Sequence, residues 1–66
     1  MRQIIQFYTG SYPTKKEVTS SLVYANTHDC IVELRWFDSS EGELYQRIFP
    51  GESIDLLFKY FLCIKE

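Results

Sequence analysis

The sequence predicts a mainly β domain: a small antiparallel sheet of about five strands, arranged as a sandwich or a partly open barrel, with room for one short helix. Three observations predict it. Residues 30–37 alternate with period two, a Gly-containing turn separates them from a second strand-like run, and aromatic and branched residues dominate the remainder. At 66 residues the chain reads as one domain, 1–66. A chain of this size buries only about 60% of its unfolded surface and has little room for a deep cleft.

Taken in order, Gln3 to Tyr8 is the first strand candidate. Thr9 to Glu17 is polar and contains Pro13, so it reads as a loop, although Thr14 is placed to cap a short helix through Val18 and Leu22. Ser21-Leu22-Val23-Tyr24-Ala25 reads as a short strand, and Asn26-Thr27-His28-Asp29 as the turn out of it. In the next strand Cys30, Val32, Leu34 and Trp36 share one face, with Trp36 inward, while Ile31, Glu33, Arg35 and Phe37 share the other. Asp38-Ser39-Ser40-Glu41-Gly42 is a turn in which Gly42 takes positive φ without a Cβ clash, and Glu43 to Phe49 returns as the partner strand of a hairpin. Pro50-Gly51 ends that strand.

Beyond Gly51 two patterns compete. Ile54, Leu56, Phe58, Tyr60, Leu62 and Ile64 fit period two, whereas Ile54, Leu57, Phe58, Phe61 and Leu62 form a helical stripe behind Ser53 as N-cap. The aromatic and branched composition favours strand.

Composition narrows the function classes. Nine acids against seven bases give a net charge of −2, so no basic footprint points to direct DNA or RNA binding. No apolar run approaches the roughly 20 residues of a membrane span, and no signal-like start precedes Gln3, so the expected setting is the cytoplasm with Cys30 and Cys63 reduced; one disulfide between them is the lesser alternative. His28 is the only histidine, and beside Asp29 and Cys30 it has no third orienting group, so it reads as a solvated turn residue rather than a catalytic one. One histidine and two distant cysteines lack zinc-site spacing, and Gly10, Gly42 and Gly51 are too scattered for a phosphate loop; no metal or cofactor is expected. The acids Asp38, Glu41, Glu43, Glu52 and Asp55 read first as solvated tips.

The ordered run of Asn26-Thr27, a strand ending in Trp36, an acidic turn with Gly42, then Tyr45 and Pro50-Gly51-Glu52-Ser53 resembles the β-domain of the von Hippel–Lindau tumour suppressor family over about two-thirds of the chain. That resemblance implies a β-sandwich scaffold and makes Trp36 and Tyr45 candidate contact residues. The serine and histidine donors of that family's hydroxyproline pocket have no counterpart in Phe58-Lys59-Tyr60-Phe61-Leu62-Cys63, so only the scaffold is implied. Glu52-Ser53-Ile54 is similar to a tripeptide that one small inhibitor of uracil-DNA glycosylase carries on an edge strand, which implies carboxylates imitating phosphate in a DNA groove.

The leading expectation is therefore a non-catalytic module, not an enzyme, that binds a protein partner through Trp36, Tyr45, Phe49, Glu52, Ser53 and Ile54. The alternative is a mobile-element or phage inhibitor of a DNA-processing enzyme, acting as a nucleic-acid mimic. Ile31, Phe37, Tyr45 and Phe49, opposite the Trp36 face, imply either a second packed layer or an exposed patch, and an open sheet also leaves edge strands through which copies can associate.

Overall fold

The computed structural model describes residues 2–60, and within them the expected mainly β class is overturned. Three strands and two helices run in the order β1 (Ile4–Tyr8), α1 (Lys15–His28), β2 (Ile31–Asp38), β3 (Gly42–Ile48) and α2 (Ile54–Tyr60). The sheet order is β1-β2-β3, with β1 parallel to β2 and β3 antiparallel to β2. A parallel pair cannot be joined by a tight turn, so the connection from β1 to β2 must cross a face of the sheet, and α1 is that crossover. The result is a two-layer α/β fold rather than a five-stranded sandwich or barrel.

The strand expected at Ser21–Ala25 and the first three residues of the turn expected at Asn26–Asp29 belong to α1, and Asp29 is its C-cap. Thr14 Oγ1 accepts from the Glu17 N–H at 3.2 Å while the Glu17 carboxylate accepts from the Thr14 N–H at 2.8 Å, a reciprocal capping box that fixes the helix start. From there Val18, Ser21, Leu22 and Ala25 are buried at helical spacing. Ser21 sits in that stripe without penalty because its hydroxyl donates to the Glu17 carbonyl at 2.9 Å. Asn26, Thr27 and His28 form the exposed last turn. Asp29 then takes the left-handed conformation at φ 50°, and the Asp29 and Cys30 N–H groups both donate to the Ala25 carbonyl.

The hairpin from residue 30 to 49 forms as expected, with Val32 opposite Ile48, Leu34 opposite Gln46 and Trp36 opposite Leu44. Its turn is held by Asp38, whose Oδ2 accepts from the Ser40 N–H, the Ser40 hydroxyl and the Glu41 N–H. Gly42 (φ 83°) and Gly51 (φ 87°) supply the two left-handed corners. Asn26 Oδ1 accepts from the Gly51 N–H at 2.7 Å, tying the last turn of α1 to the Pro50-Gly51 corner.

Residues 54–60 are helical, so the strand reading of this segment is also corrected. The decisive residue is Leu57, which period two assigns to the wrong face. It is 1% exposed in the core while Leu56 is 54% exposed, and Ile54 and Phe58 flank it half-buried at i−3 and i+1. The extension of this segment through Leu62, Cys63 and Ile64 lies outside the described residues. Both helices cover the same face of the sheet, and the core between the layers comprises Val18, Leu22 and Ala25 of α1, Val32, Leu34 and Trp36 of β2, Ile48 of β3 and Leu57 of α2.

Two substitutions separate helix from strand for α2. Leu57→Ala is expected to cost about 3 kcal/mol in a urea unfolding experiment, and Leu56→Ala less than about 0.5 kcal/mol. The reverse ranking contradicts the helical register. Thr14→Ala, which removes one half of the capping box, is expected to cost about 1 kcal/mol by the same measurement.

Candidate functional site

One face of the three-stranded sheet is covered by α1 and α2, and among the described residues the other carries no layer. The side chains that alternate onto it are Ile4, Gln6 and Tyr8 from β1, Ile31, Glu33, Arg35 and Phe37 from β2, and Glu43, Tyr45 and Arg47 from β3. The register aligns them in rows: Gln6 beside Glu33 beside Arg47, then Tyr8 beside Arg35 beside Tyr45.

At the centre stands Glu33, only 4% exposed although no layer of the described residues covers it. Its own neighbours enclose it. Arg35 Nη1 donates to Glu33 Oε1 at 2.6 Å, Gln6 Nε2 to the same oxygen at 3.0 Å, and Arg47 Nε to Oε2 at 3.1 Å. A carboxylate removed from water is costly unless donors replace the water, and here each of the three strands supplies a donor. The hydrogen bond from Arg35 dominates, burial acts in the opposite direction, and the bonds from Arg47 and Gln6 add to the first effect, so the Glu33 carboxyl is held below the usual carboxylate range.

Arg35 in turn donates through Nη2 to Glu43 Oε1 at 3.1 Å, and its two acid partners, Glu43 foremost, raise its pKa further. Its guanidinium lies 5.4 Å from the Tyr45 ring centre and 5.9 Å from that of Tyr8; Arg47 is also 5.9 Å from Tyr45. These are cation–π distances, so the two tyrosines flank the ionic centre as walls. Around it Tyr8 is 66%, Phe37 64% and Tyr45 54% exposed, with Ile4 and Phe49 also open to solvent. The surface thus has a neutralised, rigid polar centre and an apolar aromatic surround.

Of the six residues expected at a contact surface, Tyr45 lies on this face and Phe49 directly follows β3, exposed. Trp36 lies on the opposite side of the sheet, 7% exposed in the core and edge-on to Tyr12 at 5.3 Å between ring centres. Glu52, Ser53 and Ile54 form the corner into α2: the Glu52 carboxylate accepts from the Phe49 N–H at 2.7 Å, the Ser53 carbonyl accepts from the Leu57 N–H, and Ile54 packs on the core. None of these three is on an edge strand. Tyr8, Gln6 and Arg47 were not singled out from the sequence. Their signal was present in the alternation of β1 and β3, but only the parallel pairing of β1 with β2 brings Tyr8 and Gln6 to the centre.

The other candidate groups fall elsewhere. His28 is exposed at the end of α1 with its ring 4.2 Å from that of Tyr24, and Cys30 is buried in the core. Among the described residues no group of three or more His, Cys, Asp or Glu side chains is placed to hold a metal ion, and no helix is long and apolar enough to cross a membrane. A cleft of about 320 Å³ opens between β1 and α1, lined by Phe7, Thr9, Lys16 and Ser20 among others; Glu17 on its wall is already engaged in the capping box. No protein-family model, curated protein or solved structure matches the chain.

The lowered Glu33 pKa makes a signed prediction. A carboxyl that titrates lower in the folded than in the unfolded chain contributes stability above its unfolded value, near pH 4, and that contribution is lost as pH falls through the folded value. Asp38, lowered chiefly by the Ser40 hydroxyl, acts in the same direction. Denaturant unfolding across pH 2–7 is expected to show stability declining below about pH 4. Glu33→Gln is expected to lower stability at pH 7 and flatten that acid limb; an unchanged limb contradicts the role given to Glu33.

Proposed function

We propose that this chain is a non-catalytic protein-binding module whose contact surface is the open face of the sheet, working in the reducing cytoplasm. The observation that carries this reading is the exposure of Tyr8, Phe37 and Tyr45, one from each of the three strands, on the same face around a charge-neutralised centre. Aromatic side chains held rigidly at a solvent-facing surface supply large contact area at small entropic cost, and tyrosine and arginine are the residue types that dominate binding energy at protein interfaces. Arg35 and Arg47 are already neutralised by Glu33 and Glu43, so the surface offers an anionic nucleic acid little net attraction.

The nucleic-acid-mimic reading draws no comparable support. It needs Glu52 to project from an edge strand, and that carboxylate is turned back onto the Phe49 N–H.

Affinity capture from a lysate with the whole chain as bait tests the reading. Tyr8→Ala and Tyr45→Ala are each expected to weaken capture by about thirtyfold, the effect of losing roughly 2 kcal/mol at a hot spot, while Val23→Ala, on the exposed side of α1, leaves it unchanged. Capture that depends on Val23 and ignores both tyrosines contradicts it.

A further inference from the structure

The backbone directions in the sheet identify a second surface. The Ile31 N–H donates to the Gln3 carbonyl and the Arg35 carbonyl accepts from the Thr9 N–H, so odd-numbered residues of β2 direct their backbone groups to β1 and even-numbered ones to β3. With Val32, Leu34 and Trp36 opposite Ile48, Gln46 and Leu44, the even residues of β3 direct their groups to β2. The N–H and C=O groups of Glu43, Tyr45 and Arg47 therefore point outward along the free edge. Among the described residues α2 packs against α1 and makes no close backbone approach to β3.

Monomeric proteins guard such edges with charged side chains, lysine above all, or with proline or a bulge. Between Gly42 and Ile48 there is no lysine and no proline, and the pairing with β2 runs without a bulge. The edge is also complementary to itself. An antiparallel copy of β3 related by a two-fold axis at Tyr45 sets Glu43 opposite Arg47 of the second copy, Arg47 opposite its Glu43, and Tyr45 opposite Tyr45. Leu44 then meets Gln46, and Gly42 meets Ile48. Moving the axis by one residue in either direction breaks both charge pairs.

We propose that β3 pairs in this register with β3 of a second copy of the chain, joining two three-stranded sheets into one continuous sheet. Glu43 and Arg47 retain atoms for the new pairing, because Glu43 is bonded within the chain through Oε1 and Arg47 through Nε. The helices of both copies lie on one side. The two open faces become one broad face, with Tyr45 and its counterpart adjacent at the seam. β1, the other edge, is shorter and offers no charge pair under self-pairing, since Ile4 would meet Tyr8 around Gln6.

Sedimentation equilibrium of the whole chain tests this with a charge exchange. Glu43→Arg and Arg47→Glu each place like charges opposite one another in the homodimer, so each alone is expected to dimerise about tenfold or more weakly than the parent chain. An equimolar mixture of the two restores both opposite-charge pairs and is expected to recover dimerisation. Each variant also loses an ion pair within its own chain, so circular dichroism checks that it is folded. A synthetic chain N-methylated at the Tyr45 amide removes the outward donor without touching a side chain and is likewise expected to dimerise about tenfold or more weakly. A parent chain that stays monomeric at millimolar concentration overturns the proposal. So does a dimer indifferent to N-methylation, or a mixture of folded variants no more associated than its components.

Discussion

The governing constraint is the parallel pairing of β1 with β2, which requires the chain between them to cross one face of the sheet. The crossover demanded by the parallel pairing of β1 with β2 commits α1 to that face, and α2 completes the same layer. β2 is the strand on which everything meets. Its even residues, Val32, Leu34 and Trp36, make the core, and its odd residues, Ile31, Glu33, Arg35 and Phe37, make a surface that no layer covers among the described residues. A conventional solution is a row of solvated polar groups. Here the row is instead a closed ionic centre: Glu33 is enclosed by Gln6, Arg35 and Arg47, and Arg35 is walled by Tyr8 and Tyr45. Because one donor to Glu33 comes from each strand, the same contacts that neutralise the carboxylate also hold the register of the sheet.

Much of this was legible where the period is unambiguous. The alternation from Cys30 to Phe37, the Asp38–Gly42 turn and the Pro50-Gly51 corner each combine a residue pattern with a specific backbone need, and all three form as the sequence indicates. The same alternation correctly separates Ile31, Phe37 and Tyr45 from the Leu34 and Trp36 face. The helices were harder for physical reasons. In α1 the buried stripe includes Ser21 and Ala25, which carry little hydrophobic signal, while Val23 and Tyr24 between them imitate a strand. Asn26-Thr27-His28, turn formers by propensity, are carried as a last helical turn because tertiary packing of Leu22 and Ala25 outweighs that preference. In α2 the even positions are so rich in aromatic and aliphatic residues that period two outscores the helical stripe, and only Leu57 discriminates.

The candidate site was half visible. Tyr45 and Phe49 follow from alternation under one register of the hairpin, whereas Trp36, which the family likeness suggested together with Tyr45, belongs to the core. Tyr8 and Gln6 depend on strand order, which local pattern does not encode: nothing within residues 3–8 says that β1 lies parallel to β2 rather than beside β3. Fold and function meet in that one topological fact. Parallel pairing requires the helix crossover, the crossover sets which face α1 covers, and the opposite face, open among the described residues, gathers aromatic residues from three strands around a neutral ionic centre.

Exposure of that face is the claim on which the functional account stands, and paramagnetic relaxation of proton resonances by an inert soluble gadolinium chelate measures it directly. The ring protons of Tyr8, Phe37 and Tyr45 are predicted to relax strongly, and the methyls of Val18, Val32 and Leu57 to be protected. Strong protection of the three rings, equal to that of the core methyls, would contradict an open face and with it the contact surface assigned here.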